Sequence, residues 1–287
     1  HYRRRQRPDP MTERRLVCEV EERIDYKGDV IVKLDRDKAY SALKSLIDEG
    51  IEALAICTLW SFRNPAHEEM LRDIALEIRP DLYVSISSEI VPVIKEYERM
   101  ATTTVNAYLG PVVRNYLTGM KQQLTKAGFN KDFSMLNSIG GVIPPEEASL
   151  KSIQLLSSGP AGGALAAQML ARELGEPNVL TADMGGTSFD AGIIVNYEPL
   201  LKTEAVVGNL NLLSPMINIH SIGTGGGSIA EARDGRLRVG PQSAGSFPGP
   251  ACYSRGGTRP TVTDANVVLG YLDPKYFLNG RMPLDLE

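Results

Sequence analysis

In the stretch RRLVCEVEERIDYKGDVIVKLD, apolar and polar residues alternate on both sides of DYKGD, the pattern of a β-hairpin. The segment after it, RDKAYSALKSLIDEG, sets Ala39, Leu43, Leu46 and Ile47 at helical spacing and stops at Gly50, a residue type favoured just past a helix end. EALAICTLW then reads as a buried strand, PAHEEMLRDIALEI as a helix with Pro65 near its start, and LYVSISS as another strand. Strand, helix, strand in that order predicts an α/β layer with parallel pairing. This part is expected to occupy residues 1–95.

A second domain is expected over residues 96–287. EYERMATTTVNAYLGPVVRNYLTGMKQQLTKAG predicts two helices broken at Gly110-Pro111, because proline starts a helix well and interrupts one poorly. DFSMLNSIGGVI reads as a strand and loop, and LSSGPAGGALAAQMLARELG as a glycine-rich loop running into a helix. NVLTADMGGTSFDAGIIV follows at once, two short apolar runs around a polar turn, which is a second hairpin. Its strands should join a sheet flanked by helices, with the SSGPAGG loop close to Gly185. The last third is rich in Gly and Pro and holds three more loops, HSIGTGGGSIAEA, GPQSAGSFPGPACYSRGG and TVTDANVVLG. Glycines at that density point to backbone approaching ligand or backbone.

Composition narrows the function classes. Apolar residues make up 43% and charged residues 23% of the 287, ordinary values for a globular protein. Net charge is −4, so no nucleic-acid partner is expected, and the basic start HYRRRQRP reads as a solvated segment. No apolar run approaches the roughly 18 to 20 residues that cross a bilayer, and no membrane partner is expected. Cys18, Cys57 and Cys252 are too few and too scattered for a disulfide framework or a CxxC metal site. That fits a reducing cytoplasm. The chain opens at His1 in mid-pattern, so a fragment of a longer protein is expected.

The turn at TADMGGTSFD carries the most chemistry. Gly185 and Gly186 accept positive φ and put no Cβ between backbone and ligand. The N–H groups of Gly186, Thr187 and Ser188 can then converge on an anion such as a phosphate. Asp183, at the end of the first strand, is costly beside a phosphate unless a cation sits between them, and Mg²⁺ with its retained waters is the usual one. A phosphate-binding hairpin and an ordinary tight hairpin with polar turn residues both fit this stretch.

Other motifs give less. GTGGGS has Gly223 and Gly225 spaced for a dinucleotide fingerprint, but Ser228 stands where its third glycine belongs. No Gly-x-Ser-x-Gly elbow exists for a serine nucleophile. His67 reads as a surface residue of an amphipathic helix. His220 directly precedes a glycine-rich loop, where a metal or acid/base role and a hydrogen-bonded structural role are both open.

These residues carry a resemblance. NVLTADMGGTSFDAGII is similar to the second phosphate-binding hairpin of the actin, sugar kinase and Hsp70 ATPase superfamily. EYERMATTTVNAYLGPVVRNYL, LSSGPAGG, INIHSIGTGGGSIA and LRVGPQSAGSFPGPACYSRGGTRPTVTDANVVLGYLDPKYFLNGRM together resemble the hydantoinase A / 5-oxoprolinase family. The implied fold is an α/β, actin-like (ribonuclease H-like) ATPase fold with mixed sheets flanked by helices. Members begin with a first phosphate hairpin of the form D-x-G-G-T-x-T-D, and this sequence contains none.

The resemblance also implies roles. Asp183 would hold the Mg²⁺ of Mg-ATP through water, and Gly185, Gly186, Thr187 and Ser188 would line the phosphates. Asp190 would close the hairpin as a supporting carboxylate. Gly159 and Gly162, with Gly225, Gly226 and Gly227, would line the nucleotide or substrate cleft. His220 is the candidate acid/base, and Asp264 and Asn266 are further polar candidates. In the family, ATP activates an amide, lactam or enol oxygen by phosphorylation, and a B-type subunit commonly completes the reaction. The expected function is therefore an ATP-dependent hydrolase subunit acting on a cyclic amide (a hydantoin, 5-oxoproline or another lactam), in a hetero-oligomer. The alternatives are a ketone carboxylase subunit working through an enol phosphate, and a non-catalytic nucleotide-binding module. With one hairpin of two, the 287 residues alone are expected to fold only partly or with exposed apolar surface, to bind ATP weakly and to leave it unhydrolysed.

Overall fold

The computed structural model describes residues 10–207 and 210–286, and the basic start lies outside them. Contacts divide the chain into two compact units, His1–Ser158 with Leu201–Met216 and Gly159–Leu200 with Ile217–Glu287.

The first unit opens on the expected hairpin, β1 (Arg23–Ile24) and β2 (Val30–Val32). Asp25 folds the turn, its carboxylate accepting the backbone N–H groups of Lys27 and Asp29. Helix α1 (Arg36–Asp48) is capped by Asp35, which accepts from the N–H groups of Asp37 and Lys38. It ends before Gly50, at φ +84°. Strand β3 (Ala53–Ile56), helix α2 (Ala66–Ile78) and strand β4 (Tyr83–Ile86) follow, and β3 pairs β4 in parallel as the strand-helix-strand order requires. Leu43, Leu46 and Ile47 of α1 meet Leu54, Ile56, Leu71, Ile74 and Ile86 in one apolar core. Each such side chain contributes about 1.5 to 3 kcal/mol.

One helix, α3 (Glu96–Lys126), replaces the two expected, and Pro111 lies inside it. Gly110 accounts for the close packing there, since a Cβ on it would run into the ring of Tyr83. The Tyr83 hydroxyl in turn donates to the carbonyls of Ser149 and Leu150, and Asn106 of α3 binds Leu150 and Ile153. Tertiary contacts along β4 hold the helix through a proline that would break it in isolation.

Beneath the start of α3 lies a buried polar network that residue patterning does not show. Glu68, fully buried, accepts from the N–H groups of Thr58 and Ser88 and from the Ser87 hydroxyl. Arg99, 1% exposed, donates to the Ser61 hydroxyl and the Thr58 carbonyl. Ser61 and Ser87 meet at 3.1 Å, so the two charges are joined through hydroxyls. His67 is also buried, against expectation: Nδ1 lies 2.7 Å from the Glu22 carboxylate and Nε2 accepts the Leu34 N–H. Both ring nitrogens are thereby assigned to structural work.

In the second unit, α4 (Ser158–Leu174) precedes an antiparallel sheet of β5 (Val179–Met184), β6 (Phe189–Val195) and β7 (Ile219–Ile222), with β6 in the centre. The expected loop SSGPAGG is instead the first two turns of α4, so Gly159 and Gly162 are helical. Strands β8 (Ser228–Arg233) and β9 (Arg236–Ser243) form a long hairpin, and a short helix α5 (Val262–Val268) lies near β8. Among the described residues, no helix is long and apolar enough to cross a membrane.

Candidate functional site

The turn between β5 and β6 is built from its neighbours inward. Asp183 pairs with Asp190 and Met184 with Phe189 across the hairpin, and the Gly185 N–H closes the turn on the Ser188 carbonyl at 2.9 Å. The glycine loop 225–227 then packs on that turn. Gly226 N–H donates to the Gly185 carbonyl at 2.9 Å and Gly227 N–H to the Gly186 carbonyl at 2.7 Å. The Gly226 carbonyl is fixed by the N–H and hydroxyl of Thr263, both at 2.8 Å. Gly225 and Gly227 are buried, and a Cβ on Gly225 would come within 2.5 Å of the Thr187 and Ser188 nitrogens. These three glycines therefore approach backbone and brace the turn, where a ligand-lining role was expected.

Bracing decides what the turn can offer. Its carbonyls at Gly185, Gly186 and Ser188 are used. Among the described residues, the N–H groups of Gly186, Thr187 and Ser188 donate no hydrogen bond, and Gly186 and Thr187 are exposed. Backbone donors left without a protein acceptor, on a turn whose Gly185, Gly186 and Ser188 carbonyls are engaged, favour an anion.

Strand register sorts the side chains by face, since directly opposed residues in an antiparallel sheet point the same way and successive residues alternate. Asp183, Asp190 and Ser221 form one row across the three strands, and Thr181, Gly192 and Ile219 the next row on that face. Helix α4 packs over it, with Ala161, Ala164 and Leu165 against Ile217 and Ile219. Gly163 stands beside Asp183: a Cβ there would lie 3.7 Å from Oδ2. Between helix and sheet is a cleft of about 320 Å³, lined by Pro160, Gly163, Ala164, Thr181, Asp183 and Asp190 among others. The expected neighbourhood of the SSGPAGG segment and the hairpin is thus found, through Gly163. Gly159 faces open space, with no atom within 4 Å of where a Cβ would stand, and Gly162 shares its helix.

Asp190 is placed more tellingly than its position in the sequence shows. Its Oδ2 accepts from the Ser188 hydroxyl at 3.2 Å, while Oδ1 is buried without a hydrogen-bond partner among the described residues. An orphaned carboxylate oxygen beside a second carboxylate is unfavourable unless a cation or proton satisfies it. Two oxygen donors of this kind suit a hard cation such as Mg²⁺. Among the described residues there is no cluster of three or more His, Cys, Asp and Glu side chains that could hold a metal by themselves.

His220 is not brought to this cleft. It registers with Ala191 and Ala182, which puts it on the opposite face of the sheet from Asp183. Asp264 is also accounted for structurally. With Thr261 it forms the capping box of α5, its Oδ2 accepting from the Thr261 N–H and hydroxyl and its Oδ1 from the Cys252 N–H. Burial by itself would raise the Asp264 pKa, and the hydrogen bonds from Cys252 and Thr261 hold it below the usual carboxylate value. Burial, with the Asp264 carboxylate alongside, pushes the Cys252 thiol up to about 12, so it stays protonated. Asn266 lies on the same helix, its carbonyl accepting from the Tyr271 and Leu272 N–H groups.

The family model for hydantoinase/oxoprolinase matches residues 99–287, and that for the hydantoinase/oxoprolinase N-terminal region matches residues 2–79. The chain belongs to the hydantoinase/oxoprolinase family. It is 39% identical over 287 residues to the acetophenone carboxylase gamma subunit of Aromatoleum aromaticum, covering 97% of this chain and 39% of that protein. It is 37% identical over 266 residues to the caprolactamase subunit alpha of Pseudomonas jessenii, covering 92% of this chain and 38% of that one. The nucleotide-free structure of acetone carboxylase, described as an ATP-dependent enzyme, superposes with a TM-score of 0.84 at 33% identity over 98% of this chain and 40% of its own. The fold is accordingly α/β and of the actin-like ATPase type. This member of the family spans about two fifths of the length of those relatives.

Proposed function

We propose that this chain is the nucleotide-binding part of an enzyme subunit that uses ATP to phosphorylate a carbonyl or enol oxygen of a small organic substrate. The observation that carries the reading is the braced turn: three N–H groups at Gly186, Thr187 and Ser188 without acceptors among the described residues, next to the Asp183–Asp190 pair. Mg-ATP fits these groups, and when bound it supplies a transferable γ-phosphoryl group. Phosphoryl transfer demands chiefly positioning and neutralisation of charge. The turn amides bind phosphate oxygens, and Asp183 with the inner oxygen of Asp190 holds the cation. Ala164 and Ile219 line the cleft beside the carboxylates. His220 has no part in this proposal.

The finer reading is hydrolysis of a cyclic amide, as the name of the caprolactamase relative suggests. An amide nitrogen leaves poorly and its carbonyl is a weak electrophile, so phosphorylating the oxygen supplies a better leaving group. A second reading, ketone carboxylation through an enol phosphate, is favoured by the likeness to acetophenone and acetone carboxylase subunits. In both, a B-type partner subunit completes the reaction.

The test is phosphate release by the polypeptide of the relatives' length, copurified with its partner, given Mg-ATP and either a lactam or a ketone with bicarbonate. Release stimulated by a lactam supports the hydrolase. Release that needs both ketone and bicarbonate supports the carboxylase, and no stimulation by either removes the proposal.

A further inference from the structure

Helix α3 is 31 residues long, about 46 Å, and its outward side is apolar. Tyr108 is 80%, Val112 70%, Tyr116 60% and Met100 43% exposed. Met100, Thr104, Tyr108, Val112 and Tyr116 follow one another at intervals of four, which stacks them in one ridge along the helix. From Met100 to Val113 there is no charged residue. A helix face left in water is ordinarily charged or polar, so this one has the composition of a covered face. The other side of the helix is already used: Ala101 packs with Ile153, Ala205 and Leu212, and Leu117 with Ile143 and Ala148.

The ridge is symmetric about Tyr108, its most exposed member. A two-fold axis through that residue, with two helices antiparallel, sets Met100 against Tyr116 of the second copy, Thr104 against Val112, and Tyr108 against itself. Both helices then offer the same ridge, as a two-fold interface requires. Antiparallel pairing also suits the charges. Glu96 and Glu98 occupy the first turn and Lys126 the last, so the acidic end of each helix turns toward the basic end of the other, and the helix dipoles oppose. The exposed surface of the ridge is roughly 500 Å² on one copy and about 1,000 Å² on two, which reaches the floor for a specific interface.

We infer that α3 is a dimerisation surface, on which a second copy of this chain packs its own α3 antiparallel about Tyr108. The occupant follows from the ridge itself, which is complementary to its own two-fold image in spacing and in the charge of its ends. An interface at that floor of area holds its dimer weakly, with a dissociation constant in the micromolar range. The inference uses the exposure, spacing and charge of α3 alone, and it is independent of the phosphoryl chemistry proposed above.

Sedimentation of the polypeptide of the relatives' length, without nucleotide or partner subunit, tests it. The parent is expected to be a dimer at about 100 µM and to dissociate on dilution. Tyr108→Lys sets two like charges together on the axis and should raise the dissociation constant at least tenfold, with an unchanged circular dichroism spectrum. Met100→Glu and Tyr116→Lys should each weaken the dimer. Combined in one chain they should restore it, because each carboxylate then meets an ammonium group of the other copy. A monomer at about 100 µM overturns the inference, as does a dimer that Tyr108→Lys leaves intact. A combined variant no tighter than either single one overturns it as well, since the antiparallel register is part of it. Tyr108 protected from hydroxyl radicals in a monomer would assign the ridge to the chain's own polypeptide and overturn it too.

Discussion

Gly225 lies so close to Thr187 that its missing side chain sets the shape of the turn: a Cβ would sit 2.5 Å from the Thr187 nitrogen, a separation real Cβ atoms do not show. Gly225→Ala must therefore push the loop off the hairpin, and with it the hydrogen bonds from Gly226 and Gly227. Loss of nucleotide affinity by tenfold or more is expected from calorimetric titration with Mg-ATP, about 1.4 kcal/mol. Gly159→Ala is the contrast. Open space surrounds that position, it is helical, and the change should be neutral or stabilising by about 0.5 kcal/mol.

Asp183 is exposed at the mouth of the cleft, so removing its charge leaves the core untouched. Asp183→Asn in the active assembly should lower Mg²⁺-dependent ATP turnover by two orders of magnitude or more. The denaturation midpoint should move little. Turnover within threefold of the parent, in a folded variant, would remove Asp183 from the cation site.

The Glu68–Arg99 network predicts a stability effect far from that site. Glu68→Ala leaves the Arg99 guanidinium buried without its counter-charge and strands the Thr58 and Ser88 N–H groups. A loss of about 3 to 5 kcal/mol is expected, read from urea unfolding at neutral pH. A loss below about 1 kcal/mol, the worth of an exposed pair, would show that water enters the network.

Acid should weaken the α5 cap. The folded-state pKa of Asp264 lies below its ordinary value of 3.8, so its stabilisation is present above that value and is lost as pH falls through the lower folded one. Asp264→Ala should therefore cost about 1 kcal/mol at pH 7, and the difference from the parent should shrink as pH falls below the ordinary value of 3.8. An unchanged gap at low pH would mean that the cap acts without its charge.

How far the sequence discloses this structure depends on the distance over which each feature is encoded. Helices α1 and α2 and the parallel β3–β4 pair are legible because their signals, Gly50, Pro65 and the apolar spacing, are local. The hairpin at Asp183 is legible for the same reason. Pro111 misleads because Tyr83 and Leu150, remote in sequence, hold α3 in place. The roles of Gly225 and Gly227 depend on a turn some forty residues earlier, so density of glycine tells of close approach without telling what is approached. The place of His220 is hidden because proximity to a glycine loop says nothing about which face of a strand a side chain takes; its register with Ala191 does. The inner oxygen of Asp190 has no sequence signal, because its isolation arises from packing alone.

The braced turn has a consequence for how a ligand is drawn in. The chain carries a net charge of −4, and the cleft lining includes no Lys or Arg. At Gly186–Ser188 the chain's own pull on an anion comes from oriented peptide dipoles, to which the cation proposed at Asp183 and Asp190 would add its charge. Association would gain little from long-range steering, and added salt, which mainly screens interactions beyond about 10 Å at 0.1 M, would scarcely alter the affinity. The site selects by close fit after contact, and a phosphate reaches it by diffusion against a mildly repelling surface.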